Sequence, residues 1–206
     1  MQSIAELPFV GGHVALDFVN TAEERGHPQA EDCLNSPADL RLWGERYGLL
    51  ATATATAAAG DADADADADE FERAITAREL LYALFLEYTR GEQPSEAQLA
   101  ELAQLAAAAH EAGSLSVDDG RVAWQWSETD LASVRHTVVA HAVELLGDVP
   151  AARLKQCPGD HCGWLFLDTT KRGNRRWCSM RECGQEAKDA QRRARRHAGA
   201  GTRRSD

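Results

Sequence analysis

Cys157, Cys162, Cys178 and Cys183 fall into two C-x4-C pairs separated by fifteen residues. Two short turns of this kind each bring two thiolates to one point, and a tetrahedral ion such as zinc takes four soft ligands at about 2.3 Å. A segment of about forty residues buries too little apolar surface to fold alone, so the ion is predicted to supply much of its folding free energy. The site is read as one structural Zn2+ with no open position for catalysis. Four-thiolate iron is chemically open to the same ligands, and His161 is an alternative to Cys162. Two disulfides are the weaker reading. Residues 1–10 show no basic region followed by a long apolar run, and Cys33 would be left unpaired. The expectation is a cytoplasmic protein without a membrane span.

Charge divides the chain. The total is -11, but residues 1–150 hold 8 Arg and no Lys against 27 acids, a net of -19, while residues 151–206 hold 14 Lys and Arg against 6 acids, a net of +8. Such asymmetry predicts two modules, an acidic one over 1–150 and a basic one over 151–206, joined near Asp148-Val149-Pro150. Exposed charges more than about 8 Å apart are largely screened at physiological salt, so the basic module can meet a polyanion despite its acidic neighbour.

The first module reads as mainly helical with a small β element. Residues 9–21 alternate apolar Val14, Leu16 and Phe18 and are read as a strand or extended entry. Ser36-Pro37 starts a helix carrying Leu40, Trp43 and Tyr47. Residues 51–69, Ala-Thr and then Asp-Ala repeats, are predicted to be a solvated, mobile loop. Residues 71–88 form the strongest helical pattern, with Arg78 inside its apolar stripe. Ser95 and Gln98 make a capping box for the next helix. Asp118-Asp119-Gly120-Arg121 sits between alternating residues and predicts a hairpin that places Trp124 and Trp126 on one side as core. Ser127 or Thr129 then caps a helix that ends near Gly147.

Between the cysteine pairs, Lys171, Arg172, Arg175 and Arg176 surround Gly173-Asn174 in a predicted turn able to follow a phosphate backbone. Beyond Cys183 a helix to about His197 sorts into three faces: Cys183, Ala187, Ala190 and Ala194 inward, Lys188, Arg192, Arg195 and Arg196 basic, Glu182, Glu186 and Asp189 acidic. These eight cations are the candidate nucleic-acid contacts, and nothing in the sequence selects a base.

At these residues the chain resembles the CGNR zinc-finger family, through its C-x4-C pair, Leu165-Phe166-Leu167-Asp168, the run Arg175-Arg176-Trp177-Cys178-Ser179-Met180 and a basic tail. The N-terminal part resembles the ABATE domain that precedes this finger, through Gly11-Gly12-His13 and Leu16-Asp17-Phe18-Val19-Asn20-Thr21. The resemblance implies an α+β chain with a treble-clef-like finger, a β-hairpin plus helix, and a role as a stress-induced transcription regulator. Where the family has Asn-Arg after Cys-Gly, this chain has Gln185 and Glu186, which puts any phosphate contact there in doubt.

Arg78 needs a partner if buried. Asp17 or Asn20 is the predicted one, and Asp17, Asn20 and Arg78 are the candidate floor of a ligand pocket. The histidines do not favour catalysis: His136 and His141 are about 140° apart on a helix, and His110 is predicted to face solvent. No nucleophile or phosphate-loop pattern is present, so a non-enzyme is expected. The first functional reading is a regulator that binds DNA through the zinc module, with the N-terminal domain as sensor or assembly domain. The alternatives are a protein-interaction module that docks an acidic partner, or its own Asp-Ala tract, and an RNA-binding protein.

Overall fold

The computed structural model describes residues 3–25, 30–52 and 61–201. The chain is α+β. In order it forms α1 (Val14–Val19), β1 (Ala22–Glu23), β2 (Glu31–Asp32), α2 (Pro37–Tyr47), α3 (Asp61–Thr89), α4 (Glu96–Ala112), β3 (Ser114–Asp118), β4 (Arg121–Gln125), α5 (Ala132–Asp148), β5 (Leu154–Gln156), β6 (Leu165–Leu167) and α6 (Cys183–Gly201), with a 3-10 turn at Ala151–Arg153. The three strand pairs are each antiparallel and two-stranded.

Caps fix several helix starts as the sequence predicts. The Ser36 side chain accepts from the Asp39 amide, and Ser95 and Gln98 form the reciprocal box. Residues 14–19 differ from the expected strand. They make a helix because His13 caps it, its Nδ1 accepting from the Ala15 amide at 3.3 Å, and because the core encloses every residue of the turn and a half. The apolar alternation reflected burial on all sides, which carries no period.

The Asp-Ala tract is also corrected. Residues 61–69 continue α3 towards its N-terminus, since alanine is the best helix former and acids suit the positive end of the dipole. Asp67 pairs with Arg41 of α2 at 3.2 Å. The predicted loop over 53–60 lies outside the described residues.

Helices α1, α3, α4 and α5 pack on one another, with α2 against α3 and α5. Trp43 is fully buried, its ring 5.0 Å from Phe18 and stacked at 5.1 Å on Tyr47. Glu70 on α3 and Arg135 on α5 form a buried bidentate pair at 2.6 and 2.9 Å. Helix α5 has no side-chain cap at Ser127 or Thr129. Asp130 accepts from the Ala132 amide instead, and the helix runs to Asp148.

The β3–β4 hairpin forms with the expected register, but it is not core. Leu115 faces Trp124 across the pair and Val117 faces Val122, and all four side chains are exposed, because only the hairpin base touches α4. There the Trp126 indole N–H donates to the Ala109 carbonyl, and Trp124 lies 4.7 Å from His110, which is half-buried instead of facing solvent.

Strands β5 and β6 lie against α3 and α1, so Leu154, Trp164, Leu165 and Phe166 join the same apolar cluster as Leu16, Phe18 and Leu81. The Gly11-Gly12 segment makes this approach close. A side chain at Gly11 would meet Leu16 and Asp17 at about 3 Å, and the Gly11 carbonyl accepts from the Leu167 amide at 2.8 Å.

Candidate metal centre and basic surface

The ligand atoms of Cys157, Cys162, Cys178 and Cys183 all lie within 4.8 Å of one another. Cys162 and Cys178 sulfurs are 3.5 Å apart, and Cys178 and Cys183 sulfurs 3.6 Å. A disulfide is about 2.05 Å. Four sulfurs around a metal at 2.3 Å give a tetrahedron edge of about 3.8 Å, so the spacing fits an ion at the centre and excludes cross-links. The fourth ligand is Cys162, and His161 does not enter the cluster.

Local backbone builds the two turns. The Cys157 amide donates to the Trp164 carbonyl, which extends the β5–β6 ladder to the first ligand. Gly159 passes so close that a Cβ would lie 3.2 Å from the Cys183 sulfur. The second turn closes through the Gly184 amide on the Ser179 carbonyl at 2.9 Å and leads into α6, whose first residue is a ligand. Thiols so close oppose one another's ionisation. Hydrogen bonds from Cys162 and Cys178 hold Cys157 well below the usual thiol range, and the same contacts push Cys162 and Cys178 far above it. A divalent cation removes that conflict by taking four thiolates together. The donor set is soft, sulfur-only and closed, as in a structural zinc site.

The turn between the cysteine pairs is organised by the last residue of the Leu165-Phe166-Leu167-Asp168 run, for which the motif alone gives no role. Asp168 accepts from Lys155 Nζ at 2.6 Å, the Thr170 amide at 3.0 Å and the Arg175 amide at 2.8 Å. Burial opposes its charge, but these donors outweigh it and hold the carboxyl well below the usual range. Lys155 also donates to the Gly173 and Arg175 carbonyls, so its charge is fixed in place.

Of the eight predicted cations, Lys171, Arg172, Arg176, Lys188, Arg192, Arg195 and Arg196 are exposed. Arg176 lies over the Trp177 ring at 5.0 Å, and Arg192 pairs at 3.4 Å with Asp189. Arg175 does not belong with them. It is half-buried, stacked 4.5 Å over Phe166, and donates to the carbonyls of Val10, Leu167, Trp177 and Cys178. It ties the second metal turn to the N-terminal segment, with four of its five N–H donors spent on backbone carbonyls. Ala190 and Ala194 are exposed as well, because α6 leaves the metal turns after about two turns of helix. Glu186, with Glu23, Glu24 and Glu182, lines a cavity of about 390 Å³ beside the metal, so that flank is acidic.

Asp17, Asn20 and Arg78 are all buried, but they do not form one floor. Arg78 pairs with Asp32 at 2.7 and 2.5 Å and with the Thr21 hydroxyl at 3.1 Å, not with Asp17 or Asn20. Asn20 acts as a strand partner, donating to the Leu165 carbonyl and accepting from its amide, both at 2.8 Å. Asp17 accepts from the Gly11 amide at 2.7 Å and the Tyr47 hydroxyl at 3.2 Å. Asn20 thus joins α1 to β6, Asp17 holds the Gly11 segment against α1 and α2, and Arg78 joins α3 to β2.

Burial pushes the Asp17 carboxyl up to about 6. A carboxyl raised in the folded state binds its proton more tightly there than in the unfolded chain. Stability therefore falls as pH rises from about 4 to about 6, and the cost of the charge persists above that. Asp17→Asn keeps the acceptor for Gly11 without the charge. Its stability relative to the parent is expected to improve by on the order of 2 kcal/mol between pH 4.5 and 7.5. Urea unfolding of both proteins across that range checks this, and a pH-independent difference would contradict it.

The ABATE family model, described as "Putative stress-induced transcription regulator", matches residues 12–149, and the CGNR zinc-finger model matches residues 153–196. Among curated proteins, none matches the chain. The two matches, in that order, coincide with the acidic helical part and the four-thiolate zinc site, and the chain belongs to the ABATE family with a CGNR zinc finger following it.

Proposed function

We propose that the protein is a transcription regulator that binds DNA through the outer surface of its zinc finger, with the ABATE part as sensor or assembly domain. The observation that carries this reading is the exposure of Lys188, Arg192, Arg195 and Arg196 on one face of α6, a helix whose first residue is the metal ligand Cys183. Cations on a helix anchored at a metal are held as an ordered array, and such arrays take phosphates. Lys171, Arg172 and Arg176 extend the array from the neighbouring turn.

Anisotropy titrations of labelled duplex DNA at several salt concentrations test the reading. Replacing Arg172, Arg176, Arg192 and Arg195 with Ala is expected to weaken binding more than tenfold on every sequence and to flatten the salt slope by about 3.6. Unchanged titrations would remove DNA binding by this surface. Competition with single-stranded RNA in the same assay separates the two polymers.

A further inference from the structure

A second cationic feature lies where the two parts of the chain meet. The end of α3 and the finger enclose a cleft of about 590 Å³ whose walls include Arg90, Lys155, Asn174, Arg175 and Arg176. No carboxylate lines it among the described residues, in a chain with 33 acids and a net charge of -11. By contrast, the cavity on the acidic flank of the metal carries four glutamates.

The four cations divide by their bonding. Lys155 is neutralised by Asp168 and held by two backbone carbonyls, whereas Arg175, with no carboxylate in ion-pair distance among the described residues and four of its five N–H donors on backbone carbonyls, supplies the positive charge of the back wall. Arg90 and Arg176 are exposed, and no carboxylate is within ion-pair distance of either among the described residues. Arg176 is steadied by Trp177 and Asn174 adds a neutral amide, while Arg90 comes from the acidic N-terminal part, which has only eight cations. Two free guanidinium groups over a positive back wall suit a doubly hydrogen-bonded oxyanion.

We infer that this cleft is a phosphate-binding site shared by the two parts of the chain, with Arg90 and Arg176 as its gripping residues. The phosphate can be a backbone phosphodiester of bound nucleic acid or a small phosphate. The first source rests on the function proposed above, and the second does not.

The test uses the zinc-loaded full chain and its Arg90→Ala and Arg90→Lys variants. Each is titrated with labelled duplex DNA across salt and, separately, with inorganic tripolyphosphate by calorimetry. If the phosphate is a phosphodiester, Arg90→Ala weakens DNA binding about 3- to 10-fold and lowers the salt slope by about 1, with partial recovery in Arg90→Lys. If the parent ignores DNA but binds tripolyphosphate in an Arg90-dependent way, the cleft stands as a small-phosphate site and the DNA reading falls. Identical titrations of parent and Arg90→Ala with both probes, or no binding of either probe by the parent, would overturn the site. Circular dichroism of the variants, expected to match the parent because Arg90 is exposed, shows that any loss is of binding.

Discussion

Removing zinc is expected to destabilise the whole chain, not the finger alone. Strands β5 and β6 are part of the N-terminal core, through Leu154, Leu165 and Phe166 against α1 and α3 and through the paired hydrogen bonds of the Asn20 side chain with the Leu165 backbone. Structural zinc contributes apparent folding free energy of about 10 kcal/mol or more at neutral pH, comparable with the entire stability of a typical domain. When the ion leaves, four sulfurs within 4.8 Å must reprotonate or separate, and the strands they hold lose their anchor. The expected result with a strong chelator is one cooperative melt, followed by helical circular dichroism, with its midpoint lowered by more than about 10 °C. Cys178→Ser should reproduce it. A helical melt that keeps its midpoint while only the finger loosens would show instead that Asp148-Val149-Pro150 separates two independent units.

The second large effect is at Arg175, which the charge pattern places among the phosphate contacts and the fold places in the seam. Its guanidinium satisfies four carbonyls from three segments, and each one left without a donor in a half-buried site costs about 1 kcal/mol or more. Arg175→Ala is expected to lose about 3 kcal/mol or more of stability and to weaken zinc retention, since one of those carbonyls is that of the ligand Cys178. Arg172→Ala should do the reverse: stability within about 0.5 kcal/mol of the parent, and a DNA salt slope lower by about 1. Urea unfolding and salt titration on the two variants separate the roles. Equal stability with equal loss of DNA affinity would return Arg175 to the surface array.

The residues differ in how far their roles were legible from sequence. The zinc ligands were readable because ligand spacing is a local property, and so were the caps at Ser36 and Ser95 and the turn at Asp119-Gly120. What escaped was set by distant neighbours. Nothing in the order of residues pairs Arg78 with Asp32, forty-six positions away, or Asn20 with Leu165. A fully enclosed helix such as α1 shows no amphipathic period, and the Asp-Ala tract hid its helical tendency behind low complexity. The exposed hairpin was misjudged because an apolar face reads as core whether or not anything covers it. Arg175 illustrates the same limit from the other side. A cation count cannot tell which guanidinium is spent on backbone carbonyls.

The most direct test of the account is zinc-edge X-ray absorption on the intact, reduced protein. It predicts one zinc per chain with four sulfurs at about 2.3 Å and no nitrogen in the first shell. A chain without zinc, or a shell of three sulfurs and one nitrogen, would contradict the four-thiolate clamp on which the ordered basic surface depends.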